Sequence, residues 1–495
     1  MSTDAPPSRL RRFFRSWWVR GFLLTLAFCA GSYFYNEWKW ERRWQAYVTE
    51  AHARGVKVYI TEYLPAEPIP DAENFAATPL WKEVFAQNGK GPRATKLGTA
   101  KRGTRKKKIP APKDRPSPTD LGLFRIGLLK AGQITKADES LSDAEAVLKG
   151  LKFVEPDIAE ITEALMRPKV NYPVKWEEGF MAEMPHLNVS QSIGRILEVR
   201  ACAKLTLGDG DGAFSDIQAL LAFARTLENE PSLIACLVEC SLIHMATSAV
   251  AHGSDRKLWT DAHLRSIEAV LSEMNIIARQ VFAIHSERAL SNASMDGFAQ
   301  NLNIRTFSKI GFGGTFGKTD LLMGAYANRK SFWRENQLWM NRMSEEEQSM
   351  WAPENQRWNP RAREFSDEAL SGFWQNLNLG VASIWGGYSD HFAKQCLYNH
   401  ARVRMAGLAC ALERHRIAKG AYPDALDALI PEFLPKLPHD PCDGQPFRYR
   451  LNEEGYLLYS IGTDRVNDGG KVEDFTNAPA DGPDLRWWSP VPPES

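Results

Sequence analysis

The chain has 495 residues, 44% of them hydrophobic and 24% charged, with a formal net charge of +1. That composition excludes a chain disordered throughout, and the charge balance removes any global reason to expect nucleic acid as a partner. A length of this order divides into about two to four domains and allows a substantial core.

The first element is apolar. Trp17 to Trp38 reads WWVRGFLLTLAFCAGSYFYNEW, free of charge from Gly21 to Tyr35 and flanked by Trp and Tyr residues suited to headgroup depth. With Arg20 reaching back toward the near face, the stretch attains the roughly 20 residues a spanning helix needs. Arg9, Arg11, Arg12 and Arg15 precede it, whereas Lys39, Arg42 and Arg43 behind it are accompanied by Glu37 and Glu41. The stronger positive cluster predicts a cytoplasmic N-terminus. The expectation is a single-pass protein of a bacterial inner membrane, with its bulk periplasmic. An uncleaved anchor is preferred over three alternatives. A cleaved signal peptide finds only a weak site in FCAG. A lipoprotein finds Phe28 where a small residue belongs before Cys29, and a pilin-type leader ending at Gly21 finds Leu26 in place of the usual glutamate.

Beyond the anchor, Glu41 to Lys57 predicts a helix leaving the membrane, and VKVYITEYLP alternates like a strand until Pro65 stops it. A proline-rich stretch and a short helix complete a membrane-proximal region. From Lys90 to Lys113 there are ten Lys or Arg and no acid. This predicts a basic Gly/Pro-rich loop or linker, with contact to a polyanion as the sharper alternative. From about Ser140 to Gln300 apolar residues recur at three- and four-residue steps, as in stacked helical hairpins. Asn301 to Glu364 is irregular, and a long helix over about Ser389–Ala418 leads into the last segment. The predicted organisation is a cytoplasmic tail (1–16), an anchor (17–38), a membrane-proximal region (39–89), a basic loop (90–118), a helical domain (119–387) and a small α+β domain (388–495). The fold class is mainly α.

Motifs with chemistry are few. GGTFGKTD (Gly313–Asp320) has Phe312 where a phosphate loop needs glycine. DGDG (Asp209–Gly212) lacks the later ligands of a calcium loop and reads as a turn between helices. The cysteines are Cys29, Cys202, Cys236, Cys240, Cys396, Cys410 and Cys442. No CxxC pair occurs, and Cys236 and Cys240, sharing a helix face, are placed poorly for a disulfide, so buried thiols are expected. Ten scattered histidines show no metal-ligand spacing. His186 and His285 read first as packing or capping residues.

The last segment is more specific. It carries Gly420, Tyr422, Pro423, Leu426, Leu429, Asp440, Pro441, Gly444, Pro446, Tyr449, Ser460, Gly462 and Asp464 in an ordered pattern. In this it resembles the globular domain of the major pseudopilin of type II secretion. The likeness covers about 90 residues, with departures: His415 and Arg465 stand where tyrosine and glycine are usual, and Asp443 is an extra residue. The resemblance implies a calcium-binding loop, whose candidate ligands here are Asp464, Asp468 and Asp484, with Asp474 and Asp481 in the same lengthened loop. Calcium wants six to eight oxygens and would staple a small domain; a solvated acidic turn is the competing reading. More loosely, the PIPDAENFAATPL, MPHLN and LTLGDGDGAFSD stretches are similar to large bacterial membrane-anchored proteins, a likeness that transfers no activity.

Three functions remain open on the sequence. The first is a non-enzymatic binding or scaffold role with an envelope protein as partner. The second is a hydrolase assembled from dispersed residues, His186, Glu239, His285 and Glu287. The third is a pilus-like secretion component, weakened because roughly 350 residues separate the anchor from the pilin-like segment.

Overall fold

A computed structural model describes residues 17–100, 119–301, 329–349, 351–352, 357–358, 380–452, 455–470 and 484–487. The tail 1–16, the stretch 101–118, the GGTFGKTD segment, Asp474 and Asp481 lie outside the described residues. The architecture is mainly helical, with a small three-stranded sheet near the C-terminus.

Helix α1 (Trp17–Ala53) runs unbroken from the apolar stretch into the charged segment behind it. Its first half lies open, with Trp17 86%, Phe28 78% and Phe34 69% exposed. Its second half turns Trp44, Tyr47, Val48 and Ala51 onto the body, at helical spacing. Residues 56–65 do not form the expected strand. Glu62 accepts from the backbone N–H groups of Val58 at 2.8 Å and Tyr59 at 2.7 Å, closing a turn over Ile60–Tyr63. Donors captured by a local carboxylate are withdrawn from any ladder.

Helix α2 (Pro79–Ala86) starts at a Thr78 cap. Helix α3 (Pro92–Gly98) occupies the beginning of the predicted basic linker and buries Ala94 and Leu97. Its Arg93 pairs with Asp157 at 2.6 Å and Glu160 at 2.7 Å, and Lys96 with Asp157 at 2.7 Å. Residues 92–98 therefore belong to the body. Two apolar side chains three apart dock the turn, and its nearest cations are matched by acids of a neighbouring helix.

Helices α4 (Leu121–Lys130), α5 (Asp143–Leu151) and α6 (Glu155–Ala164) form an outer layer. Helices α7 (Pro185–Thr206), α8 (Gly210–Arg225), α9 (Leu233–Asp255), α10 (Asp261–Glu273) and α11 (Ile276–Asn301) follow. Helix α7 packs on α8 and α9 and carries α2, α3, α4 and α5 on its other sides. The DGDG motif is the cap and first turn of α8 rather than a turn between helices: Asp209 caps the helix, its carboxylate accepting from the Gly212 N–H at 2.8 Å. Helix α9 is long and apolar enough to cross a membrane, yet it lies mostly buried inside the body.

Helix α12 (Lys330–Ser349) falls where the sequence looked irregular, and packs on α1 and α11. Its buried face mixes Phe332, Trp333 and Met340 with Asn336, Gln337, Asn341 and Ser344. Asn341 donates to the Asn292 side chain at 2.8 Å, and Gln337 to the Asn292 carbonyl at 3.1 Å. Arg334 pairs with Glu41 of α1 at 2.9 Å and Asp296 of α11 at 2.5 Å, and Arg54 with Glu345 at 3.0 Å. The second half of α1 is thus bolted on by a partly buried polar seam.

Two short strands, β1 (Trp351–Ala352) and β2 (Arg357–Trp358), pair before helix α13 (Gly380–Lys419). Helix α13 packs against α9, α10, α11 and α12, and its C-terminal part carries the sheet of β3 (Arg448–Asn452), β4 (Gly455–Ser460) and β5 (Leu485–Arg486). The sheet is antiparallel in the order β3-β4-β5, with Arg448 opposite Tyr459 and Ser460 opposite Leu485. Buried Arg414 of α13 joins this unit to α10. It reaches Asp261 at 3.0 Å and Glu268 at 2.6 Å, and donates to the Phe433 carbonyl at 3.1 Å. One apolar core runs from Phe75 to Trp487 without a break at residue 388.

Candidate functional site

The motif residues of the C-terminal unit have structural work first. Asp440 is fully buried, and its carboxylate accepts from the Cys442 N–H at 3.0 Å, the Ser460 hydroxyl at 2.8 Å and the Ile461 N–H at 3.1 Å. Burial pushes this carboxyl up, and the donors oppose the rise. The Tyr449 hydroxyl donates to the Pro423 carbonyl at 2.7 Å, and Tyr422 to Glu413. Side chains spread over some forty residues of sequence thereby fix the turn before β3 to the end of β4.

The loop after β4 holds the three candidate calcium ligands. Asp464 is exposed and accepts from the Val466 N–H at 3.0 Å, and Asp468 is exposed as well. Asp484 is 2% exposed; its Oδ2 accepts from the Gly470 N–H at 2.7 Å, while its buried Oδ1 has no hydrogen-bond partner among the described residues. Burial raises the Asp484 pKa, the Gly470 amide opposes, and the negative charges of Asp468 and Asp464 add to the rise. Asp484 thus feels the charge of both exposed aspartates. The oxygens of the three nevertheless do not all lie within 4.8 Å of one another.

Three of the four dispersed residues are engaged in the fold. His186 is fully buried, stacked on Tyr172 with centroids 4.3 Å apart, and its Nε2 lies 2.9 Å from Glu230. Glu239 pairs with Arg279 at 2.8 Å, and Arg279 also donates to the carbonyls of Leu227 and Glu230, each at 3.0 Å. Glu287 accepts from the Leu233 N–H at 2.9 Å at the start of α9; burial raises its pKa to about 7 against that bond. His285 is half-buried on α11. Three of the four therefore converge, but on the backbone turn between α8 and α9. A cleft of about 700 Å³ opens nearby, lined by Tyr63, Arg167, Tyr172, Trp176, Arg225 and Phe282 among others, and none of the four lines it.

No family model, curated protein or solved structure matches this chain. Its chemistry has to be argued from its own residues. One group that sequence reasoning did not assemble stands out. The sulfurs of Cys236 and Cys240 on α9 and Cys396 on α13 all lie within 4.8 Å of one another, and all three residues are buried. The thiols of Cys240 and Cys396 hydrogen-bond to Cys236 and pull its pKa well down, against burial and with help from the Arg279 charge. The i, i+4 spacing of the first two was legible, but no local signal points to Cys396, more than 150 residues downstream.

Proposed function

We propose that the chain is a membrane-tethered, extracytoplasmic binding or scaffold protein whose pseudopilin-like C-terminal unit serves as an interaction module. The observation that carries this reading is the two-part character of α1. Residues 17–38 present apolar side chains outward, and residues beyond them are locked to the body. A helical stretch of that length spans about 33 Å, close to the roughly 30 Å of a bilayer core. The cleft beside Tyr63 and Trp176, with cations and acids among its aromatic walls, is the surface offered to a partner. The hydrolase reading loses support because His186, Glu239 and Glu287 are committed to one another's neighbouring backbone turn and to buried ion pairs.

The test is fractionation and protease protection in a bacterial host. Membranes washed with carbonate should retain the full chain, and protease added to spheroplasts should digest the body while sparing the N-terminal tail. Recovery in the osmotic-shock fluid as a soluble protein would overturn the tether. Turnover of peptidoglycan, peptides or esters by the purified protein would overturn the non-enzymatic role.

Calcium binding in the C-terminal loop belongs to the same proposal, supported by the Oδ1 of Asp484, unpartnered among the described residues, and by its two acidic neighbours. In detergent, the full chain should melt several degrees higher with excess calcium than with chelator, and Asp484→Asn should abolish the difference. A melt indifferent to calcium removes the ion from the proposal.

A further inference from the structure

The three buried thiols make a site of their own. Cys236 and Cys240 stand one turn apart on the same face of α9, and α13 packs across that face and presents Cys396. Sulfurs bound to one ion at about 2.3 Å are about 4 Å apart, so the observed spread needs only a small contraction to close around a cation. Exposure of 0 to 3% keeps bulk water from the three residues, which disfavours an ion that must keep its hydration shell.

We propose that Cys236, Cys240 and Cys396 form a closed three-sulfur site for a soft, thiophilic d10 cation, with Cu(I) preferred over Zn(II). Softness selects the class, because thiolates bind Cu(I) and Zn(II) far better than magnesium or calcium. Coordination number orders the two. A structural zinc site requires four donors, and no fourth His, Cys, Asp or Glu atom joins the group within 4.8 Å among the described residues. Glu239, next to Cys240 in sequence, is held by Arg279 at 2.8 Å.

The surroundings suit the charge of such a site. A cation bound by three thiolates displaces up to three protons and leaves excess negative charge. The Arg279 guanidinium, close enough to act on Cys236, offsets it, and its buried Nη1 has no hydrogen-bond partner among the described residues. Glu239 and Arg279 line a cavity of about 240 Å³ with Met274 in its wall, and Glu239 lies in the same helical turn as both cysteines of α9. The inference is independent of the membrane topology.

The experiment uses the full chain in detergent, thiol-reduced and anaerobic, titrated with Cu(I) from a competing chelator and, in a second arm, with Zn(II). One Cu(I) per chain with a three-sulfur shell by X-ray absorption is expected. Cys396→Ser should lose that stoichiometric binding, and Cys410→Ser, also buried on α13, should keep it. A circular-dichroism melt checks that each variant folds, and the wild-type arms stand without them. Retention of Zn(II) alone, on the same three sulfurs, would support the site and overturn the preference for Cu(I). Failure of the folded, reduced wild type to hold either ion would overturn the site. So would a disulfide from Cys396 to Cys236 or Cys240 in protein alkylated at cell lysis.

Discussion

At the scale of single residues, the chain spends its unusual buried polar groups on holding backbone in place. Glu287 shows the cost. Its carboxyl titrates near 4.5 in ordinary surroundings and at about 7 in the fold. Between those values the unfolded chain releases a proton that the native chain keeps, so stability contributed by this group is complete below about 4.5 and is lost as pH rises to about 7. The loss amounts to about 3 kcal/mol. Glu287→Gln retains an acceptor for the Leu233 N–H without the titration. Denaturant unfolding at pH 5 and pH 8 should show a smaller stability difference for the variant than for wild type; equal differences would mean that Glu287 ionises normally.

The same scale shows what the sequence could and could not reveal. Asp440 was legible as part of a motif, but its role became visible only when Ser460 and Ile461 folded back onto it. Arg465 adopts a left-handed backbone with φ of 61°. An arginine holds that conformation at a cost that glycine would not carry.

At the scale of elements, the helical character of the region from α5 to α11 was legible because apolar side chains repeat at three and four residues, although α10 and α11 read as one helix and are two. Those that were missed share a physical reason. Helix α12 buries amides along with aromatics, so its inward face reads as polar in a hydropathy pattern. Helix α3 hides two apolar positions among lysines and arginines whose acidic partners lie some sixty residues away. Pairing across such distances is a property of the tertiary structure, and a window of local sequence does not contain it. Arg334 tests the seam around α12. It is 11% exposed, between the partly exposed Glu41 and Asp296, and lies over the Trp44 ring with 5.4 Å to the centroid. Arg334→Ala should cost about 2 kcal/mol, between the values of surface and fully buried pairs. Hydrogen exchange should quicken in residues 40–53 and 330–345 while the β3-β4-β5 sheet stays protected; uniform quickening would mean that the seam is not a separate unit.

At the scale of the whole molecule, two long helices organise the rest. Helix α13 is shared between the helical body and the C-terminal sheet, which is why a single core spans both. Helix α1 has a mechanical consequence. Its apolar half and its docked half are one rigid rod, with no loop between them at which the body could swivel. With the apolar half in a bilayer, the body would stand at a fixed height and tilt, and a twist of the rod about its axis would turn the cleft with it. A partner would then meet this protein at one distance from the membrane surface, much as a bracket fixes the height of a shelf.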